Sequence, residues 1–209
     1  MHLTKRLIMN IAVFASGRGS NFTAIIQAIK KGKIKGSLAL LVCDNHEAGA
    51  INRARRAGVK VAVVLRKGFA SKSEFENKII QALKDNKIDL IVLAGFMRIL
   101  SPGFVREYSG KIINIHPSIL PAFKGGHAIQ DAFDYGVKVT GVTVHFVDEL
   151  MDHGPVILQE AVKIEEKDTM EKLEAKIHKL EHKLYPEAIA LFLKGKLRIS
   201  KRKVKLFTR

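Results

Sequence analysis

The sequence predicts an α/β chain: a Rossmann-like, mostly parallel sheet with helices on both faces. Three observations carry this reading. Short apolar runs alternate with stretches of helical periodicity along most of the chain. The first run, residues 8–15, is apolar apart from Asn10, as befits a strand buried on both faces. The glycine- and proline-bearing polar segments fall at the carboxyl ends of such runs, where open α/β sheets bind ligands.

Taken in order, the first strand is followed by residues 21–31, where Phe22, Ile25, Ile26 and Ile29 recur at helical spacing. Residues 38–43 read as a second strand and 48–57 as a helix stopped by Gly58. A third strand over 59–65 leads to a helix over 73–86, with Phe75, Ile79, Ile80 and Leu83 on one face. Residues 88–94 and 112–115 are the fourth and fifth strands. A helix near 127–135 precedes residues 140–147, whose alternation is that of a half-exposed strand. Residues 156–163 form another strand, and 169–193 a long amphipathic helix. The later strands are the candidates for antiparallel pairing. No repeat or low-complexity segment interrupts the pattern.

A chain of 209 residues with 47% hydrophobic content can bury a sizeable core. Cys43 is the single cysteine, so an internal disulfide is excluded and a reducing compartment is favoured. No apolar run reaches the roughly 18 residues of a membrane span. Lys5-Arg6 and the apolar residues after them resemble a secretory leader. Asn10 breaks that run, however, and a glycine-rich turn follows at once, so we read a strand of a cytoplasmic protein. The formal net charge is +16, and half of it lies in residues 194–209, where eight Lys and Arg stand without an acid. Such a tail is expected to be a solvated terminus that steers anionic ligands. Its alternation with Val204, Leu206 and Phe207 suits a short strand lying on the domain better than a nucleic-acid arm.

Four segments carry chemistry. In Asn114-Ile115-His116-Pro117-Ser118-Ile119-Leu120-Pro121, an Asn and a His two residues apart leave a strand on one face, and prolines stiffen the loop that follows. A carboxamide can hold a developing oxyanion and an imidazole can move a proton, which is what acyl transfer requires. Ser16-Gly17-Arg18-Gly19-Ser20-Asn21-Phe22 opens a helix after the first strand. Glycines and free N–H groups there suit an anion. Phe22 stands where a dinucleotide fingerprint needs glycine and the P-loop lysine is absent, so one phosphate is expected, with Ser20 and Asn21 capping the helix and binding the ligand. In residues 94–102, Phe96, Met97, Ile99 and Leu100 are either core or the wall of a pocket for a flat apolar ligand. In residues 145–155 an acidic loop turns through Gly154-Pro155, and either Asp148 or Asp152 can pair with His116.

Together these segments resemble the phosphoribosylglycinamide formyltransferase family from about Met9 to about Leu197, through A-S-G-R-G-S-N-F, A-G-F-M-R-I-L-S-P, I-N-I-H-P-S-I-L-P, G-V-T-V-H-F-V-D-E, D-H-G-P-V-I and Tyr185-Pro186. The resemblance implies the formyltransferase fold. It also implies transfer of a formyl group from 10-formyltetrahydrofolate, as co-substrate, to the amine of glycinamide ribonucleotide in purine synthesis. Neither a metal nor a covalent enzyme intermediate is needed. The family's catalytic places fall on Asn114, His116 and Asp152, its nucleotide-binding places on Gly19, Ser20, Asn21, Gly95, Pro117 and Glu181, and its folate-binding places on Met97, Arg98, Ile99, Leu100, Asp148 and Asn114. Three departures stand out: His178 where the family often has Gln, His153 in place of the first glycine of a Gly-Gly-Pro turn, and no evident arginine near Lys72-Ser73 to meet the folate glutamate. The implied organisation is a catalytic domain over residues 1–197 and a basic tail over 198–209, as a monomer or homodimer. Methionyl-tRNA formyltransferase shares the Asn-x-His and proline run, but Pro121 is followed here by Ala122-Phe123-Lys124-Gly125-Gly126 and not by that family's Gly-Ala-Ala-Pro pattern. A formyltetrahydrofolate hydrolase would keep the triad behind an N-terminal regulatory domain, and no such domain fits before Met9. A basic nucleic-acid-binding module would leave the triad unexplained.

Overall fold

The computed structural model describes residues 8–207. Met1, Lys5, Arg6 and Arg209, which entered the readings of the leader and the tail, lie outside the described residues. Strands β1 (Asn10–Phe14), β2 (Ser37–Cys43), β3 (Lys60–Val63), β4 (Leu90–Leu93) and β5 (Ile112–His116) pair in parallel in the order β3-β2-β1-β4-β5. The sheet continues with β6 (Val139–Phe146) and β7 (Val156–Lys163), both antiparallel to their predecessors. A terminal hairpin, β8 (Leu197–Ser200) and β9 (Lys203–Leu206), completes it with β9 beside β7.

Alternate residues of β1 feed two cores. Ile11 and Val13 face helices α1 (Ser20–Lys30), α2 (Gly49–Arg56) and α6 (Met170–Leu193), meeting Phe22, Ile25, Ile51, Leu173 and Ile177. Helix α5 (Ala128–Tyr135) packs against that side through Ile129 and Phe133. Ala12 and Phe14 face α3 (Lys72–Asp85) and α4 (Pro102–Glu107), meeting Phe75, Ile79, Leu83 and Phe104. Burial on both faces is why the first strand lacks an alternating pattern. Reversal of strand order on either side of β1 opens a crevice at the carboxyl ends of β1 and β4.

Four local expectations change. The first strand starts at Asn10, two residues late, and Ile8 and Met9 are exposed. Residues 140–146 are buried throughout, not half-exposed. Helix α6 covers one face of β6, and Ile119 of the proline loop presses on Gly141, where an added Cβ would lie 2.5 Å from its Cδ1 and 2.2 Å from the Glu160 carbonyl oxygen. Helix α4 escaped the periodicity argument because it has six residues, yet its Ser101 cap and Pro102 start are a recognisable sequence signal. Finally, the basic tail forms two strands instead of one.

Tyr185 ties α6 to the middle of the sheet. Its side chain is fully buried, and its hydroxyl lies 2.7 Å from the Leu93 carbonyl and 3.0 Å from the Ile113 carbonyl, one at the end of β4 and one in β5. Burial pushes the hydroxyl well above the ordinary phenol range, so it remains a donor. Tyr185→Phe should lower the unfolding free energy by about 1–3 kcal/mol, since it removes the one donor that the two buried carbonyls share. Urea denaturation measures this, and an unchanged midpoint would remove the tie from the supports of the fold.

Candidate active site

A cleft of about 550 Å³ runs along the carboxyl ends of β1, β4 and β5 and contains all four sequence segments singled out above. A larger groove, about 720 Å³ between α1 and α6, contains none of the Asn114, His116 and Asp152 cluster.

At one end of the cleft Gly19 is the N-cap of α1, in the left-handed region at φ 76°, with no side-chain cap. The expected capping by Ser20 and Asn21 is therefore corrected. Asn21 turns inward, and its Nδ2 donates to Glu181 Oε2 at 3.0 Å, an oxygen also 3.0 Å from His178 Nδ1. That bond raises the His178 pKa. Without a side-chain cap, the first-turn N–H groups lining the cleft stay available to an anion. Glycine at 19 is required twice over, because a Cβ would also stand 2.8 Å from that of Ala50. Gly95, likewise left-handed, accepts the Ser16 N–H at 3.0 Å, and Ser16 Oγ accepts the Met97 N–H at 2.8 Å, so the β1 and β4 loops brace each other.

The apolar segment after β4 divides between its two readings. Leu100 is buried in the core, and Phe96 sets its ring edge-on to Phe14 at 5.2 Å. Met97 and Ile99 stay exposed on the cleft wall at 72% and 68%. Arg98 lines the same wall, yet its Nε donates to Asp44 Oδ2 at 2.6 Å, a buried partner not anticipated from the sequence.

The centre is a consequence of strand pairing. Asn114 stands opposite His145 and His116 opposite Thr143 across β5 and β6, so four polar side chains share one face. His145 Nδ1 donates to its neighbour's carbonyl, Phe146 O, at 2.8 Å. Its Nε2 is then an acceptor and receives Asn114 Nδ2 at 3.2 Å. One Asn114 N–H is thereby fixed and the second is left for a ligand. His116 Nε2 donates to the Phe123 carbonyl at 2.7 Å, and its Nδ1 faces Asp152 Oδ2 at 3.5 Å. Asp152 Oδ2 also accepts the Gly125 N–H at 2.9 Å, while Oδ1 lies 3.9 Å from His145 Nε2. Asp148 is not in this cluster: its Oδ1 accepts Leu150 N–H at 3.1 Å and its Oδ2 meets His153 Nδ1 at 2.7 Å. Pro117 lines the cleft beside His116. The following loop is stitched down by Thr143, whose hydroxyl donates to Ser118 O and accepts from Leu120 N and Gln159 Nε2. Cys43 offers no rival nucleophile, since burial, and then Asp44, push its thiol up to about 12.

A carboxamide, an imidazole and a carboxylate in one cleft with an uncapped helix N-terminus are chemically able to support acyl-type transfer beside an anion. Comparison narrows the class: the formyl transferase family model matches residues 9–189, and the chain belongs to that family. Its relatives include phosphoribosylglycinamide formyltransferases. It is 50% identical over 182 residues to the one from Bacillus subtilis (strain 168), across 87% of this chain and 93% of the relative. It is 40% identical over 191 residues to the one from Escherichia coli (strain K12), across 91% and 90%. The crystal structure of glycinamide ribonucleotide transformylase 1 from Symbiobacterium toebii superposes with a TM-score of 0.94 at 40% identity, covering 100% of this chain and 99% of that one.

His145, Thr143, Gln159 and Asp44 had no assigned role from sequence. For His145 a signal existed, because two His-containing strands paired antiparallel place their polar positions opposite each other. Burial holds the His145 pKa below 6.5. The unfolded chain then takes up a proton near pH 6.5 that the folded chain refuses, so stability falls as pH drops below that value. His182, also lowered by burial, has the same sign, while His178, raised, contributes stability below pH 6.5 that is lost at higher pH. The unfolding free energy should therefore decline between pH 6.5 and 5, and His145→Gln should flatten that decline. Equal slopes in urea titrations of both proteins would refute the assignment.

Proposed function

We propose that this chain transfers the formyl group of 10-formyltetrahydrofolate to the amine of N1-(5-phospho-D-ribosyl)glycinamide, giving the formylated nucleotide and tetrahydrofolate in purine synthesis. The observation that carries the reading is the Asn114, His116 and Asp152 cluster set between an anion-receptive turn and an apolar wall. The nucleotide phosphate sits on the N–H groups of Gly19, Ser20 and Asn21, with Gly95 and Pro117 along the nucleotide and Glu181 at its ribose or glycinamide end. The folate ring lies against Met97, Arg98, Ile99 and Leu100, closed by the loop from Asp148 to Asp152. Because the Asp148 carboxylate is engaged within its own loop, its contact with folate is through the backbone.

The amine attacks the formyl carbon, and the carbonyl oxygen gains charge. Asn114 donates its free N–H to that oxygen, and His116 supports the charge from beside it. His116 Nε2 is committed to a backbone carbonyl, so the proton leaving the amine is assigned to Asp152, through water, and returns to the folate nitrogen as the C–N bond breaks. Reduced thiols favour the cytoplasm as the site of action, and among the described residues no helix is long and apolar enough to cross a membrane.

Mixing the protein with both substrates and following loss of the formyl donor tests the activity, and donor loss without nucleotide would indicate hydrolysis instead. Asn114→Ala, His116→Ala and Asp152→Asn should each lower kcat by roughly a hundredfold or more in a folded protein, with losses that do not add. Wild-type turnover in Asp152→Asn would remove that residue from the mechanism. Inorganic phosphate should compete weakly with the nucleotide and not with folate. Competition against folate alone would move the anion site elsewhere.

A further inference from the structure

The terminal hairpin is bonded to the acidic loop through Arg202. Arg202, in the turn between β8 and β9, donates from Nη2 to the His153 carbonyl at 2.8 Å, and its Nη1 lies against the His153 ring, 2.8 Å from Nε2 and 3.2 Å from Nδ1. His153 Nδ1 in turn lies 2.7 Å from Asp148 Oδ2. A carboxylate only accepts, so Nδ1 carries the proton of that bond. Asp148 Oδ1 passes the restraint to the Leu150 N–H at 3.1 Å. The hairpin is itself held to the sheet beside Val156, two residues beyond Gly154, by the pairing of Val156 with Lys203.

What this chain of bonds restrains is the backbone next to Asp152. Asp152 stands at φ 48°, in the left-handed region that a residue with a Cβ occupies at a cost of about 1 kcal/mol or more. From one side its carboxylate is gripped by the Gly125 N–H. From the other, the grip is on its immediate neighbour, by Arg202. Gly154 then allows no slack, since a Cβ there would meet the Phe146 carbonyl oxygen at 1.8 Å.

We infer that Arg202 and His153 are positioning residues, and that the basic hairpin is a working part of the formyl-transfer site because it holds the Asp152 loop opposite His116. The inference rests on the proposed role of Asp152. It also changes the expectation for the tail: a cut after Ser200, which charge steering alone would leave with full kcat, removes the clamp.

Arg202→Ala in the full-length chain should lower kcat by about three- to tenfold, the scale of losing hydrogen bonds to a polar partner, with KM for the nucleotide unchanged. Amide hydrogen exchange at residues 149–153 should speed up by a similar factor while the melting temperature holds. His153→Ala, which keeps the carbonyl bonded by Arg202 but removes the ring and its bond to Asp148, should give a partial loss, and the double variant less than the sum of the two, because they share the ring contact. Lys205→Ala, which deletes equal charge from the same hairpin, should match wild type. Wild-type kcat and exchange in Arg202→Ala would overturn the inference, as would additive losses or an equal fall in Lys205→Ala. If the wild-type protein transfers no formyl group at all, the proposed function fails, and the exchange rates alone still decide whether Arg202 holds the loop.

Discussion

The antiparallel pairing of β5 with β6 is the constraint on which the site depends. Every preceding strand of the sheet is parallel, and a parallel neighbour would have offered Asn114 and His116 a different register. Turning β6 around sets Asn114 against His145 and His116 against Thr143. His145 is locked by the carbonyl of the residue after it, so it presents an acceptor to the carboxamide with no freedom to flip. The orientation of Asn114, which decides whether an N–H or an oxygen points to a ligand, is thus fixed by backbone geometry one strand away.

Around that pair the loops are held by groups with no spare valence. Thr143 makes three hydrogen bonds with one hydroxyl, fastening Ser118 and Leu120 to the sheet and sharing Gln159. Asp152 lies in a conformation that its own sequence disfavours and that its surroundings impose. These are preorganised dipoles in a half-closed cleft, the arrangement in which electrostatic help to a developing oxyanion is greatest. The apolar wall has a different character: Met97 and Ile99 remain exposed, and their covering depends on what enters the cleft.

Much of this was legible in the residues. The alternation of apolar runs gave the strand and helix order because parallel strands buried on two faces have an unmistakable composition, as β1 and β4 do. The i, i+2 spacing places Asn114 and His116 on one face, while position alone left Asp148 and Asp152 open and only the family resemblance pointed to Asp152. Legibility failed wherever a contact was far apart in sequence and unspecific in type. Asp44 for Arg98 and Arg202 for His153 are pairings that any of 36 basic residues might be imagined to make. Burial of β6 was misread because its cover is a proline loop, an element with no periodicity. Helix α4 was too short for periodicity to register.

The hairpin of β8 and β9 also sets the character of one edge of the sheet. An open sheet exposes a row of unpaired backbone groups on each outer strand, a template for unwanted pairing. Here the outermost strands are β3 and β8, each only four residues long. Lys60 begins β3, Arg198 lies within β8, and Lys201, Arg202, Lys203 and Lys205 crowd the adjoining turn and strand. Two such edges approaching each other bring positive charges together, which opposes edge-to-edge pairing of the sheet.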